Sequence, residues 1–249
     1  MAYSDVILAT AGLQSYWRLG ESAGTTGAGS VLDSKGSVNG TPTAITFGIG
    51  GLLTGDANTA ASFPGASSGI NYGNNYGFTG TASFSVECWI NITSVVGEQH
   101  FVDKSWNNGV NREGWDLRIA AGGSLELERW QTNAPVRTPT ANILAGTTYY
   151  VVGTYDGTNS RLYVNAGAAN VSPTDTNAIP ATTSSANLGI GGFNGGTFYY
   201  VNGIIDEVAI YNVALSSGTI SAHYTAGTSP PGYVPPFPGV FNLDARRFI

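Results

Sequence analysis

The sequence predicts an all-β protein, two antiparallel sheets packed as a β-sandwich, on three observations. The 249 residues include 35 glycines and only 10% are charged, a sheet-and-turn composition without the Glu, Lys and Ala runs of long helices. Short segments of alternating apolar and polar residues recur along the chain. Between them lie clusters of Gly, Asn, Ser and Asp, residues that reverse a strand. An apolar fraction of 42% fills a sizeable core. No internal stretch reads as a linker, so residues 1–227 are taken as one domain.

The strands follow in order. GLQSYWRLG (12–20) and SGINYG (68–73) are short runs bracketed by glycine. FSVECWINI (84–92) shows the period of two: Phe84, Val86, Cys88, Ile90 and Ile92 face one way, and Ser85, Glu87, Trp89 and Asn91 the other. One face is core and the second is mixed polar and aromatic. QHFVDK (99–104) and WDLRIA (115–120) come next, the latter with Trp115 in phase with Leu117 and Ile119 and so directed to the core. SLELERW (124–130) carries Glu126 and Glu128 on one face, read as solvated and flanked by Arg118 and Arg129. TYYVVGTYDG (148–157) and SRLYVNAG (160–167) form a hairpin around Asp156, Gly157 and Asn159. SANLGIGG (185–192) and GIIDEVAIYN (203–212) close the series, and SSGTISAHY then sets Ile220 and Tyr224 four apart, as a short amphipathic helix requires.

One segment poses a problem. If GIIDEVAIY alternates strictly, Ile204, Asp206, Val208 and Ile210 share one face, with Ile205, Glu207, Ala209 and Tyr211 on the other. Whichever face is inward then buries a carboxylate, at a cost unless a cation or hydrogen-bond donors satisfy it.

A net charge of -6 and a pI near 4.7 argue against nucleic acid and anionic lipid as partners and favour a cation. No apolar run is long enough to insert into a membrane. Cys88, the single cysteine, excludes an intrachain disulfide and a thiolate zinc site, and its phase makes it a core residue. His100 and His223 have no metal-ligand spacing and no nucleophile motif beside them. Residues 2–17 lack the basic start, apolar run and cleavage site of a secretory signal. The expectation is a protein that is intracellular, exported by another route, or built into a particle released by lysis.

After Gly227 the texture changes to a Pro-rich stretch, read as an extended C-terminal arm over 228–249. Phe237, Phe241, Leu243 and Phe248, beside Arg246 and Arg247, suit docking on a neighbouring subunit.

FSVECWI, a strand ending VDKS, GWDLRIAAGGSLEL, YYVVGTYDGTNSRLYVNAG and GIIDEVAIYNVALSSGTISAHYTAG occur in an order that resembles the laminin-G-like jelly roll of the concanavalin A-like lectin and glucanase superfamily. SYWRLGE and VLDSKGSVNGT are similar to its opening strand and its Asp-Ser-Gly-Asn-Gly loop, so the resemblance runs from about residue 12 to 227. It implies a jelly-roll sandwich without catalytic activity that recognises carbohydrate or protein, often with a structural calcium near its edge. It also implies kinship with modules of bacteriophage particles that serve as adhesins or shell decoration. Asp206 matches the acidic strand position and Asp33 the N-terminal loop, so a calcium site formed by Asp33 and Asp206 is expected, with backbone oxygens of Gly36 and Asn39. The alternative is that Asp206 caps a loop or pairs with Arg18 or Arg161.

Three functions follow as expectations. The first is a non-catalytic surface or decoration protein of a phage-like virion, its arm attached to neighbouring virion or homo-oligomeric subunits. The second is a freestanding carbohydrate-binding adhesin, extracellular or at a cell surface and directed to cell-surface glycans. Its candidate residues are Trp106, Asn107, Asn108, Arg112 and Trp130 around the loop WNNGVNREGW, and Phe193, Tyr199 and Tyr200 in FNGGTFYY, where rings can stack on a pyranose and amides bond hydroxyls. The third is a glucanase-like hydrolase using Glu126 and Glu128. The Glu-x-Asp-x-Glu strand of those enzymes is here S-L-E-L-E-R, which lacks the third acid.

Overall fold

The computed structural model describes residues 2–107, 112–131, 134–180 and 186–229. Two antiparallel sheets of 8 and 7 strands lie face to face as a jelly-roll sandwich. The larger sheet runs, in spatial order, β13 (Asn170–Val171), β12 (Ser160–Val164), β11 (Thr148–Tyr155), β6 (Phe84–Ile92), β15 (Asn202–Tyr211), β4 (Thr59–Pro64) and β3 (Thr46–Gly50), with β1 (Leu13–Trp17) also pairing β15. The smaller runs β10 (Ala134–Asn142), β9 (Ser124–Gln131), β8 (Arg112–Ile119), β7 (Gln99–Asn107), β14 (Gly189–Ile190), β5 (Gly69–Asn71) and β2 (Thr41–Thr43). Alternation in the sequence does not mark β10, whose Pro135 and Pro139 would disrupt a central strand. At the sheet edge they are tolerated, because no further strand needs their missing N–H groups.

The core between the sheets holds the inward residues of FSVECWINI together with Trp17, Phe47, Phe63, Trp115, Leu117, Leu127 and Tyr155. Cys88 and Trp115 are fully buried there, as their phase predicts. Phe84 stacks on Phe78 at 4.9 Å and 7° and packs against Trp115 at 5.1 Å. Each such ring or branched side chain contributes roughly 1.5–3 kcal/mol by leaving water.

The other face of FSVECWINI is also covered. Helices α1 (Tyr3–Leu8) and α2 (Ser217–Thr228) lie on it, and Tyr3, Ile7, Trp89, Tyr150, Val152, Ala209, Tyr211 and Ile220 form a second apolar cluster. Ser216 caps α2 by accepting from the Thr219 amide at 3.1 Å. The helix expected after Leu215 is therefore present, whereas α1 is not marked in the sequence, being a 6-residue segment. Glu87 on this face is buried and accepts hydrogen bonds from the hydroxyls of Tyr150 and Tyr211.

The difficulty in GIIDEVAIY is resolved by a β-bulge. Pairing of β15 with β6 shifts between Asp206 and Ala209, and Glu207 has φ 51°. The extra residue lets Ile205, Val208 and Ile210 all join the core between the sheets, so neither carboxylate has to enter it.

Candidate functional site

The outward face of the smaller sheet carries a dense set of charges. β7 is also bulged, between His100 and Val102, so Phe101 and Val102 both enter the core while His100 and Asp103 share the outer face. Pairing then sets Asp103 opposite Asp116, Asp116 opposite Glu128, and Glu128 opposite Arg137. In the neighbouring row His100 faces Arg118, and Arg118 faces Glu126. Three carboxylates directly opposite one another on adjacent strands repel unless cations intervene.

The arginines intervene. Arg118 binds Glu126 at 2.8 Å and Glu128 at 2.6 Å and also pairs with Glu98. Arg112 holds Asp116 at 3.1 Å, and Arg137 pairs with Glu128. His100 places Nδ1 2.8 Å from Asp103 and Nε2 2.8 Å from Glu98. Burial alone would lower the His100 pKa, yet Asp116, Asp103 and Glu98 raise it to about 9. Burial pushes Asp116 up to about 7, with Glu128 adding to the rise against His100, Arg112 and Arg118. Glu98 goes the other way: despite partial burial, the hydrogen bond from His100 and the charge of Arg118 bring it down to about 2.

An aromatic loop lies against this face. His100 stacks on Tyr199 at 4.9 Å and 13°, and meets Phe193 edge-on at 6.0 Å. The His100 amide donates to the Tyr199 carbonyl at 3.0 Å, and Asp103 accepts from the Asn194 amide at 3.1 Å. Asn107, Phe193, Phe198 and Tyr199 line an open depression of about 320 Å³. Phe198 and Tyr199 remain 63% and 41% exposed. Beside it the Arg112 guanidinium lies 4.3 Å over the Trp130 ring and 5.9 Å from Phe193.

A laminin-G sequence model, described as the concanavalin A-like lectin/glucanases superfamily, matches residues 54–221. The chain belongs to this superfamily. Comparison with curated protein sequences gave no match. Among solved structures, domain 4 of AbnA, an extracellular arabinanase of Geobacillus stearothermophilus in complex with arabinotriose, superposes with a TM-score of 0.64 at 19% identity, covering 85% of this chain and 98% of that one. A mutant sialidase of Trypanosoma rangeli displaying trans-sialidase activity gives 0.63 at 15% identity, covering 91% of this chain and 38% of that one. The ligand binding domain of botulinum neurotoxin serotype D in complex with N-acetylneuraminic acid gives 0.59 at 14%, covering 90% and 52%. At these identities the likeness is one of fold alone, and this chain spans about half or less of the last two.

Of the residues expected to bind sugar, Asn107, Phe193 and Tyr199 meet at the superfamily member's depression, with Arg112 and Trp130 next to it. Tyr200 is half-buried and bonds the Thr197 carbonyl through its hydroxyl at 2.5 Å. Trp106 pairs with Glu113 and falls on the side of the sheet shared by Lys104 and Trp115, opposite Trp130. Asn108 and the arm residues Phe237, Phe241, Leu243, Arg246, Arg247 and Phe248 lie outside the described residues. Phe198 was missed, although it stands beside Tyr199 in an Asn- and Gly-rich loop. The expectation that Glu126 and Glu128 form a solvated face is corrected: Glu128 is fully buried and Glu126 9% exposed. Arg129, expected to flank them, turns to the other side and pairs with buried Asp175.

The calcium that the superfamily resemblance implies meets a divided donor set. Asp33 accepts from the Ser15 hydroxyl at 2.5 Å and from the amides of Tyr16, Lys35 and Val38 at 3.0, 3.0 and 3.2 Å, so both its oxygens serve its own loop and β1. Asp206 accepts from the Leu52 amide at 2.9 Å through Oδ2, while its buried Oδ1 has no hydrogen-bond partner among the described residues. Arg18 lies beside it but bonds Glu207 and Asp56, each at 2.9 Å, and Arg161 pairs with Asp156. Burial raises the Asp206 pKa well above the usual carboxylate range, and neighbouring Glu207 adds to it. The orphaned oxygen offers one ligand to a hard cation, but Glu207 and Asp56 are already bonded by Arg18 and do not gather with Asp206 into a ligand set, so the residues present do not fit a calcium ion.

Proposed function

We propose that this chain is a non-catalytic carbohydrate-recognition domain that binds glycan in the depression of Asn107, Phe193, Phe198 and Tyr199. The observation that carries this reading is two exposed rings, Phe198 at 63% and Tyr199 at 41%, beside an amide in an open hollow of about 320 Å³. Aromatic faces cover the apolar face of a pyranose, and an amide supplies both donor and acceptor to its hydroxyls. The sugars held by the arabinanase domain and the neurotoxin domain favour this reading over a virion subunit. Asp33 is read as shaping its own loop, through the amides of Tyr16, Lys35 and Val38. Against hydrolysis stands the condition of the two glutamates. Glu128 is bonded by Arg118, Arg137 and the Trp130 Nε1–H, and is not presented to a substrate.

A glycan array probed with the whole chain tests this. Binding above background that Phe198→Ala removes is the expected result, and background signal for every glycan overturns it. Glucan hydrolysis abolished by Glu126→Gln or Glu128→Gln would overturn the non-catalytic part.

A further inference from the structure

We propose that His100, Asp103 and Asp116 form a site for one divalent transition-metal ion of the zinc class on the outer face of the smaller sheet. One ligand atom from each residue lies within 4.8 Å of the others, and all three side chains are fully buried. An imidazole with two carboxylates suits zinc, which takes nitrogen and oxygen donors in a tetrahedral set.

Three further observations point to an ion. Among the described residues Oδ1 of Asp116 is buried without a hydrogen-bond partner, and Nε of Arg118 lies 3.6 Å away. With the His100 imidazole neutral, as a metal ligand must be, the face also holds two negative charges in excess. Glu98, Asp103, Asp116, Glu126 and Glu128 are met by only three guanidiniums, those of Arg112, Arg118 and Arg137. One divalent ion with a neutral imidazole ligand balances them. Finally, the outer ligands are in place. Glu98 lies 2.8 Å from Nε2 of His100 and would accept its N–H in the metal-bound form, leaving Nδ1 to face the metal, as metal-binding histidines require. Asp103 is held by the Ser105 amide at 3.1 Å, the Ser105 hydroxyl at 2.8 Å and the Asn194 amide at 3.1 Å. On binding, the ion takes the place of the proton between His100 Nδ1 and Asp103 Oδ2, which are 2.8 Å apart, and that proton leaves to solvent. None of this depends on the sugar-binding reading.

The test is calorimetric titration of the full, untagged and chelator-treated chain with zinc chloride at neutral pH. The expected result is saturable binding of one equivalent, weakened about tenfold or more by Asp116→Asn and by His100→Gln. Nitrogen NMR of the unsubstituted chain gives a readout that needs no variant: the His100 ring resonances shift on zinc addition and those of His223 do not. Absence of saturable binding, binding that survives Asp116→Asn unchanged, or a shift confined to His223 overturns the proposal.

Discussion

His223 on α2 places Nδ1 3.0 Å from the Oε2 atom of Glu87 on β6, while its Nε2 lies 2.9 Å from the Thr10 hydroxyl. A single buried carboxylate thus gathers donors from the sheet, through Tyr150 and Tyr211, and from the helix that covers it. Glu87→Ala leaves these polar groups unpaired in an apolar layer, and a loss of about 3–5 kcal/mol is expected in urea unfolding. Glu87→Gln retains an acceptor and costs less, about 1–3 kcal/mol.

Asp206 gives a pH dependence whose sign follows from its environment. Burial first, then Glu207, raises its folded pKa above the unfolded value of about 3.9. Its contribution to stability is therefore fully present below that unfolded value and is lost as pH rises through the folded one. In calcium-free buffer Asp206→Asn gains on the parent protein as pH rises, by about 1–3 kcal/mol at the alkaline end, in unfolding curves taken across the pH range.

Tyr199→Ala and Phe198→Ala are each expected to weaken glycan binding about two- to tenfold, since a stacked ring supplies roughly 0.5–1.5 kcal/mol. Tyr199→Phe keeps the ring over His100 and retains affinity close to the parent value. Equal loss in Tyr199→Phe and Tyr199→Ala would transfer the effect from the ring to the hydroxyl. Titration calorimetry with a glycan identified on the array separates these outcomes.

Gly114 faces Ser105 across the strand pair with φ 113°, and a Cβ there would lie 2.2 Å from the Lys104 carbonyl oxygen. Gly114→Ala is expected to cost more than about 1 kcal/mol, because backbone and not a movable side chain blocks the methyl. Loss of the Arg112–Trp130 stack, followed by tryptophan fluorescence, accompanies it.

Much of the sandwich is legible in the sequence because period-two alternation is written by burial, and β6 with Phe84, Val86, Cys88, Ile90 and Ile92 states it without interruption. The two bulges are not legible. Glu207 carries no glycine to announce its positive φ, and Val102 follows Phe101 as any two apolar residues do. Strict alternation consequently sends one carboxylate of β15 inward and mistakes the charged face of β9 for a wetted one. The aromatic loop was partly legible, since rings among Gly and Asn have no core to enter. The charged cluster was not, because His100, Asp103 and Asp116 come together only once β7 and β8 pair and a bulge turns two of them to one side.

Ala2 and Ser229 line one small hollow of about 190 Å³ on the helix-covered side, together with Leu53 and Ala226. Tension applied at these two points would run between α1 and α2 across that short span. The hydrogen-bonded ladders would lie off the line of force.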